Sequence, residues 1–175
     1  MLKGIVAGSF DPITKGHVWL IQRAAEMVGE DGYLHVVMGV NPTKKYYFSA
    51  EQREKQIRKV LSDNLPASLY RCIVIESIGN ELLINYAKSI GATHIFRGIR
   101  NTEDFNYEAQ IQLVNRKICS KIETVFFIPP GELTAVSSST VKGLVGFEGW
   151  ENIVDDYIND SIKNDFKAKL LEQKA

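Results

Sequence analysis

Two rhythms of apolar residues alternate along the chain. Short runs rich in β-branched and aromatic residues recur at Leu2–Ala7, Tyr33–Val40, Tyr70–Glu76, His94–Arg97 and Thr124–Ile128, and these read as strands. Between them apolar residues return at helical spacing near residues 15–29, 49–61, 80–90 and 102–118. Start and stop signals sharpen this reading. Ser49 with Gln52 three residues on forms a capping box before EQREKQIRKVL. Asn80 is placed to cap ELLINYAKSI, which Gly91 ends, and Thr102 precedes Glu103 and Asp104, acidic residues suited to a first helical turn. After the fifth run comes the loop IPPGELTAVSSS, and then helices only.

Regular strand–helix alternation predicts a parallel sheet with helices packed on both faces. The expected fold is α/β: a Rossmann-like, doubly wound, five-stranded parallel sheet followed by C-terminal helices. No repeat, low-complexity tract or linker divides residues 1–175, so a single domain is expected. In such sheets ligands bind beyond the carboxyl ends of the strands, where the strand order reverses.

Polar chemistry collects at those ends. Ser9, Asp11 and His17 follow the first strand, Lys44 and Lys45 the second, Arg97 and Arg100 the fourth, and Ser137 to Thr140 the fifth. Each piece alone has a plain reading. Asp11-Pro12 is an ordinary turn, a lone His at a helix start is more often a capping residue, a Lys-Lys pair is usually solvated, SSST is first an N-cap, and RGIR has acidic partners in the TEDFNYE that follows. Their coincidence on one edge points to an anion site, because cations and free helix N–H groups are what polyphosphate requires. Neither G-x-x-x-x-G-K-[ST] nor G-x-G-x-x-G is present, which disfavours Walker-type NTPases and dinucleotide dehydrogenases.

Composition narrows the classes further. The 175 residues are 45% hydrophobic and 24% charged, with 21 basic and 21 acidic side chains and a formal net charge of zero. That balance argues against a nucleic-acid-coating surface. No apolar run reaches the ~18 residues of a membrane span, and two cysteines, Cys72 and Cys119, in apolar segments suit free thiols in a reducing compartment. A cytoplasmic protein with neither nucleic-acid nor membrane partners is expected.

The segment GSFDPITKGH resembles the [ST]-x-x-x-x-x-G-H signature of the nucleotidyltransferase superfamily. With PTKK, LLINYA, RGIRNTEDFNYE, NRKI, VFFIPP and SSSTVK in the same order, residues 1–145 resemble more closely the bacterial phosphopantetheine adenylyltransferases. That resemblance implies transfer of AMP from ATP to 4′-phosphopantetheine, giving dephospho-coenzyme A and pyrophosphate, with Mg²⁺ as cofactor and no residue of the chain assigned to the metal. It implies that Ser9 and Phe10 contact ATP, with Ser9 also reaching the acceptor, and that His17 stabilises the transition state. Lys44 and Arg97 would hold the acceptor phosphate, with Leu83 beside the pantetheine arm. Gly98, Ile99, Arg100 and Glu108 would meet the nucleotide, and the loop Leu133, Thr134, Ala135, Val136, Ser137, Ser138 and Ser139 would close over it. A homo-oligomer, in the family a hexamer, is implied as well.

Three departures touch acceptor identity and ATP affinity. Gly143 stands where many relatives carry an acidic residue, Leu133-Thr134-Ala135 replaces an aromatic in the closing loop, and the tail from residue 143 is atypical. The chemistry agrees with the resemblance: an acceptor phosphate is already ionised near neutral pH, so catalysis reduces to alignment and charge stabilisation. The competing readings are a related enzyme with another acceptor, nicotinamide mononucleotide or glycerol phosphate, and a non-catalytic nucleotide sensor on the same scaffold.

Overall fold

The computed structural model describes residues 1–41 and 43–173. Pro42 of the PTKK motif and the last two residues lie outside the described residues. Five parallel strands, β1 (Lys3–Gly8), β2 (Tyr33–Gly39), β3 (Ile73–Ile78), β4 (His94–Gly98) and β5 (Glu123–Phe127), form one sheet in the order β3-β2-β1-β4-β5. β1 pairs with β2 through Val6↔Val36 and with β4 through Val6↔Phe96. Consecutive residues of these central strands enter different cores. Val6, Val36 and Phe96 belong to one buried cluster and Ile5, Val37 and Ile95 to the other. A strand covered on both faces must be apolar at every position, which is why these segments read as runs rather than alternations.

The helices are α1 (Lys15–Val28), α2 (Ala50–Asn64), α3 (Ala67–Tyr70), α4 (Leu83–Ser89), α5 (Thr102–Ile118), α6 (Gly131–Thr134), α7 (Ser138–Leu144), α8 (Trp150–Ile153) and α9 (Asp160–Glu172), with one 3₁₀ turn at Val154–Asp156. The expected Ser49–Gln52 capping box is formed in full. Two starts are displaced by three residues, each for a local reason. β3 starts at Ile73 rather than Tyr70, because Pro66 (φ −54°) opens the short α3 first and proline is pre-set for a helical start. α4 begins three residues later than expected, after Leu82 and without a side-chain cap, so Asn80 caps nothing. α5 spans the expected Thr102–Ile118 with Glu103 and Asp104 in its first turn, and its cap is Asn101, whose side chain accepts from the Asp104 N–H.

The C-terminal helices are part of the core. Trp150, Val154, Ile158, Ile162 and Phe166 are buried with the α1–α2 face. The Phe166 ring lies 4.9 Å from Phe48 and 5.0 Å from Tyr47. The atypical tail therefore packs beneath the segment that follows β2, the segment bearing Lys44.

Candidate active site

The sheet order reverses between β1 and β4, so a crevice opens beyond their carboxyl ends. The chain leaves β1 through Phe10, whose φ of 45° is in the left-handed region, an uncommon setting for a bulky residue that marks functional turns. Phe10 turns its ring inward, and a Cβ on Gly8 would meet that ring at 3.2 Å. The missing side chain at Gly8 thus makes room for Phe10, which in turn packs edge-on against the His17 ring at 5.1 Å.

Thr14 caps α1, and His17 sits at the third helical position. The two form a reciprocal box in which His17 takes the place usually held by Glu or Gln. His17 Nδ1 accepts from the Thr14 N–H at 3.0 Å. Since Nδ1 is an acceptor, the ring proton of neutral His17 is on Nε2. Burial, then the charges of Arg100 and Arg97, pushes the His17 pKa from 6.5 down to about 4. At neutral pH the ring is an uncharged, oriented N–H donor.

Two cavities meet at this edge. The first, of about 330 Å³, is walled by α1, by the exit of β4 and by the serine-rich start of α7. The second, of about 580 Å³, lies between the exits of β1, β2 and β3 and ends on Leu82 and Leu83. Both are lined by Ala7, Gly8, Ser9, Lys44 and Arg97. Lys44 Nζ donates to Ser9 Oγ at 3.0 Å and Arg97 to the Ala7 carbonyl at 2.8 Å, so two cations are anchored to the common wall.

Most charges of the first cavity are compensated within the protein. Arg97 forms a two-pronged pair with Glu108, its Nε donating at 2.8 Å. Arg100 does the same with Asp104 at 2.8 and 3.1 Å, which raises the Arg100 pKa and lowers that of Asp104. Lys142 donates to Asp11 at 2.8 Å. Burial works to raise the Asp11 pKa, but the bond from Lys142 and those from the Phe48 and Tyr47 N–H groups outweigh it and hold the carboxyl below its usual range. Asp11 therefore ties three segments together: the first turn, the segment after β2 and α7.

The cavities bring together most of the residues singled out by sequence. Ser9, Phe10, His17, Gly98, Arg100 and Glu108 line the first, as do Leu133, Val136, Ser137, Ser138 and Ser139. Leu83 lines the second. Ile99, Thr134 and Ala135 are in neither lining: Ile99 is buried with its N–H on the Phe127 carbonyl, and the Thr134 hydroxyl turns back to Gly131. Trp19, Leu20 and Lys142 line the first cavity without having been singled out. Lys142 was legible in SSSTVK, while Trp19 and Leu20 carried no signal beyond an amphipathic helix.

No group of three or more His, Cys, Asp or Glu residues able to hold a metal ion occurs among the described residues. Each carboxylate of the first cavity already has a cation: Asp11 has Lys142, Asp104 has Arg100 and Glu108 has Arg97. The donor set does not fit a protein-built Mg²⁺ cage, since that ion demands near-octahedral oxygen ligands.

Residues 5–144 match the family model described as cytidylyltransferase-like. The chain is 38% identical over 173 residues to a phosphopantetheine adenylyltransferase of Chromobacterium violaceum, covering 99% of this chain and 100% of that protein. It is 34% identical over 160 residues to a phosphopantetheine adenylyltransferase of Neisseria meningitidis, covering 91% and 89%. Among solved structures, a nicotinic acid mononucleotide adenylyltransferase of Plasmodium falciparum complexed with NaAD superposes with a TM-score of 0.70 over 96% of this chain and 95% of that one. At 16% identity that likeness speaks for the fold alone.

Proposed function

The chain belongs to the cytidylyltransferase-like family, among its phosphopantetheine adenylyltransferases, and on that premise we propose that it transfers AMP from ATP to 4′-phosphopantetheine, giving dephospho-coenzyme A and pyrophosphate. The observation that carries this reading is the shared wall of the two cavities. A transferase must bring two substrates to one point, and Ser9, Lys44 and Arg97 stand at the junction. ATP would occupy the cavity of His17, Arg100 and Ser137–Ser139. The acceptor would lay its phosphate on the junction and its arm toward Leu82 and Leu83.

An acceptor phosphate oxygen attacks the α-phosphorus of ATP, the bond from that phosphorus to the α–β bridging oxygen breaks, and pyrophosphate leaves with the electron pair. No proton has to be removed from the nucleophile. His17 Nε2–H donates to a non-bridging α-oxygen as charge develops there, a bond that strengthens in the transition state. Mg²⁺ would be brought on the triphosphate and would neutralise part of its charge, with no carboxylate of the chain released to ligate it.

The exposed apolar residues of α5 support a homo-oligomer. Phe105, Tyr107, Ile111, Leu113 and Val114 are all exposed, more apolar surface than a single helix of a monomer usually leaves to water. Further copies of the chain would cover it, in a hexamer if the family pattern holds. Cys72 and Cys119 are unbridged and no helix of the described residues is long and apolar enough to cross a membrane, features that suit the cytoplasm. The functional reading is tested by pyrophosphate release with ATP and a panel of acceptors: phosphopantetheine, nicotinamide mononucleotide and glycerol phosphate. Turnover with phosphopantetheine is expected, and turnover with one of the others alone overturns it. Mass measurement in solution tests the assembly.

A further inference from the structure

Arg53 lies in the first turns of α2, within a stretch of charged residues, yet it is only 1% exposed. Its Nη1 donates to the carbonyl of Ser9 at 2.7 Å and more distantly, at 3.4 Å, to that of Gly39. Its guanidinium carbon lies 3.9 Å from the centre of the Tyr46 ring, and its Nε has no hydrogen-bond partner. Among the described residues no carboxylate pairs with it. A buried charge without a counter-charge is expensive. Two carbonyl dipoles and one ring face offset only part of that cost, so the location of Arg53 needs a further reason.

That reason lies one residue away. Ser9 takes Arg53 on its carbonyl and Lys44 on its hydroxyl. The three carboxylates of the first cavity are matched by Arg97, Arg100 and Lys142, which leaves Lys44 as the cation of its lining with no carboxylate partner among the described residues. Arg53 lies behind that lining, on the Ser9 carbonyl, and it too has no carboxylate partner among the described residues. One positive charge at the junction and one behind it thus meet the place where, on the function proposed above, a dianionic phosphate comes to rest. Lys44 can touch that phosphate. Arg53, sealed behind Ser9, acts through space and by holding Ser9, Gly39 and Tyr46 in place.

We propose that Arg53 is a positioning residue that supplies a second positive charge, without a carboxylate partner, behind the acceptor-phosphate site. The substrate phosphate is then the missing counter-charge, and the arrangement selects phosphorylated over unphosphorylated acceptors without direct contact. It follows that phosphopantetheine should relieve the isolated charge of Arg53, while pantetheine should not.

Calorimetric titration of wild type, Arg53→Met and Arg53→Lys with phosphopantetheine and with pantetheine tests this, alongside the ATP KM. Arg53→Met should weaken phosphopantetheine binding by about tenfold, the effect of one partly screened charge at close range, and leave pantetheine binding and the ATP KM unchanged. Arg53→Lys should keep most of the preference. If Arg53→Met binds both compounds equally weakly, the residue only shapes the pocket and the proposal fails; unchanged binding of both also overturns it. Should Arg53→Met fail to fold by circular dichroism, Arg53→Lys decides, since a charge role requires its preference to stay within about twofold of wild type. A wild type that neither prefers phosphopantetheine nor releases pyrophosphate with it defeats the functional reading, whereas a preference that survives in Arg53→Met defeats this inference alone.

Discussion

The two cavities open on one edge of one sheet, but they hold their charges differently. On the nucleotide side Arg100 is locked to Asp104 and Lys142 to Asp11, and Arg97 at the junction is locked to Glu108. Toward the acceptor side, whose lining also carries Glu81, Lys44 at the junction rests on a hydroxyl and Arg53 behind it on carbonyls. The difference follows from what each ligand brings. On the proposed function a triphosphate would enter with a metal ion that cancels much of its charge, so its site would need fixed geometry more than net charge, and ion pairs hold side chains in place. The acceptor phosphate would enter as a bare dianion and need the charge itself. On that reading the same residue types serve as scaffold in one cavity and as counter-charge for the other.

The largest effect should come from a polar donor that belongs to neither scheme. His17→Ala removes a neutral N–H that on the proposed function donates to the reacting phosphate, and it should lower kcat by about 10²–10³. ATP affinity should change far less, because cations and the start of α7 remain. Pyrophosphate release measured with ATP calorimetry separates the two. Loss of ATP binding with kcat preserved would make His17 a ground-state anchor and blur the contrast between the cavities.

Next comes Arg97, which belongs to both cavities. Arg97→Ala should raise the acceptor KM by about tenfold or more, as loss of a charge-assisted hydrogen bond does, with a smaller change for ATP. It also strips Glu108, 9% exposed, of its partner, and an unpaired carboxylate there would repel either phosphate. Glu108→Gln in the same background should therefore recover part of the lost binding. If the double variant is no better than the single one, Glu108 is not the brake on Arg97 that the pairing implies.

A third test uses pH. Burial, then Arg100 and Arg97, sets the His17 pKa at about 4 rather than 6.5. The unfolded chain takes up this proton as pH falls through 6.5, while the folded protein does so only near 4. The neutral His17 contribution to stability is complete above 6.5, is lost progressively down to about 4, and changes no further below that. Thermal melts of His17→Gln against wild type should show this dependence only in the wild type. A limb near pH 6.5 shared by wild type and His17→Gln belongs to the acceptor phosphate, whose second ionisation lies at about 6; a limb there that His17→Gln removes would mean that the imidazole is more open to water than its packing against Phe10 allows.

How far the sequence reached can be seen residue by residue. The strands were legible because both-face burial makes them apolar runs, and the Ser49–Gln52 box because its chemistry is local. Arg97, Arg100 and their acidic partners were legible as a pair of alternatives, phosphate ligands or ion pairs; the structure shows the ion pairs formed, with the cations still lining the cavity. The Thr14–His17 box escaped because the pattern looks for Glu or Gln at the third position. Arg53 escaped for a deeper reason. In EQREKQIRKVL every charged residue looks equally solvated, and only the packing of α2 over Ser9 and Tyr46 decides which one is buried.

The smallest expected effect tests the edge of the comparison, at Gly143. If the missing acidic side chain belonged to the acceptor machinery, restoring a side chain here would act on that cavity alone. The structure argues otherwise. Gly143 lies inside α7, is exposed, is in the lining of neither cavity, and a Cβ built on it meets nothing within 4 Å. Close packing of the tail does not demand the glycine, and its backbone is already helical, so alanine would lose less conformational freedom on folding. Gly143→Ala should raise stability by about 0.4–1 kcal/mol, or roughly 1–4 °C in Tm for a chain of this size. The acceptor and ATP KM values should stay within error of wild type. Gly143→Glu should stabilise by a smaller margin, since a carboxylate in the last turn of a helix opposes its dipole. A selective fall in the acceptor KM for Gly143→Glu, absent from Gly143→Ala, would show that the acceptor cavity extends to α7 and that its charge is tuned from both sides of the crevice.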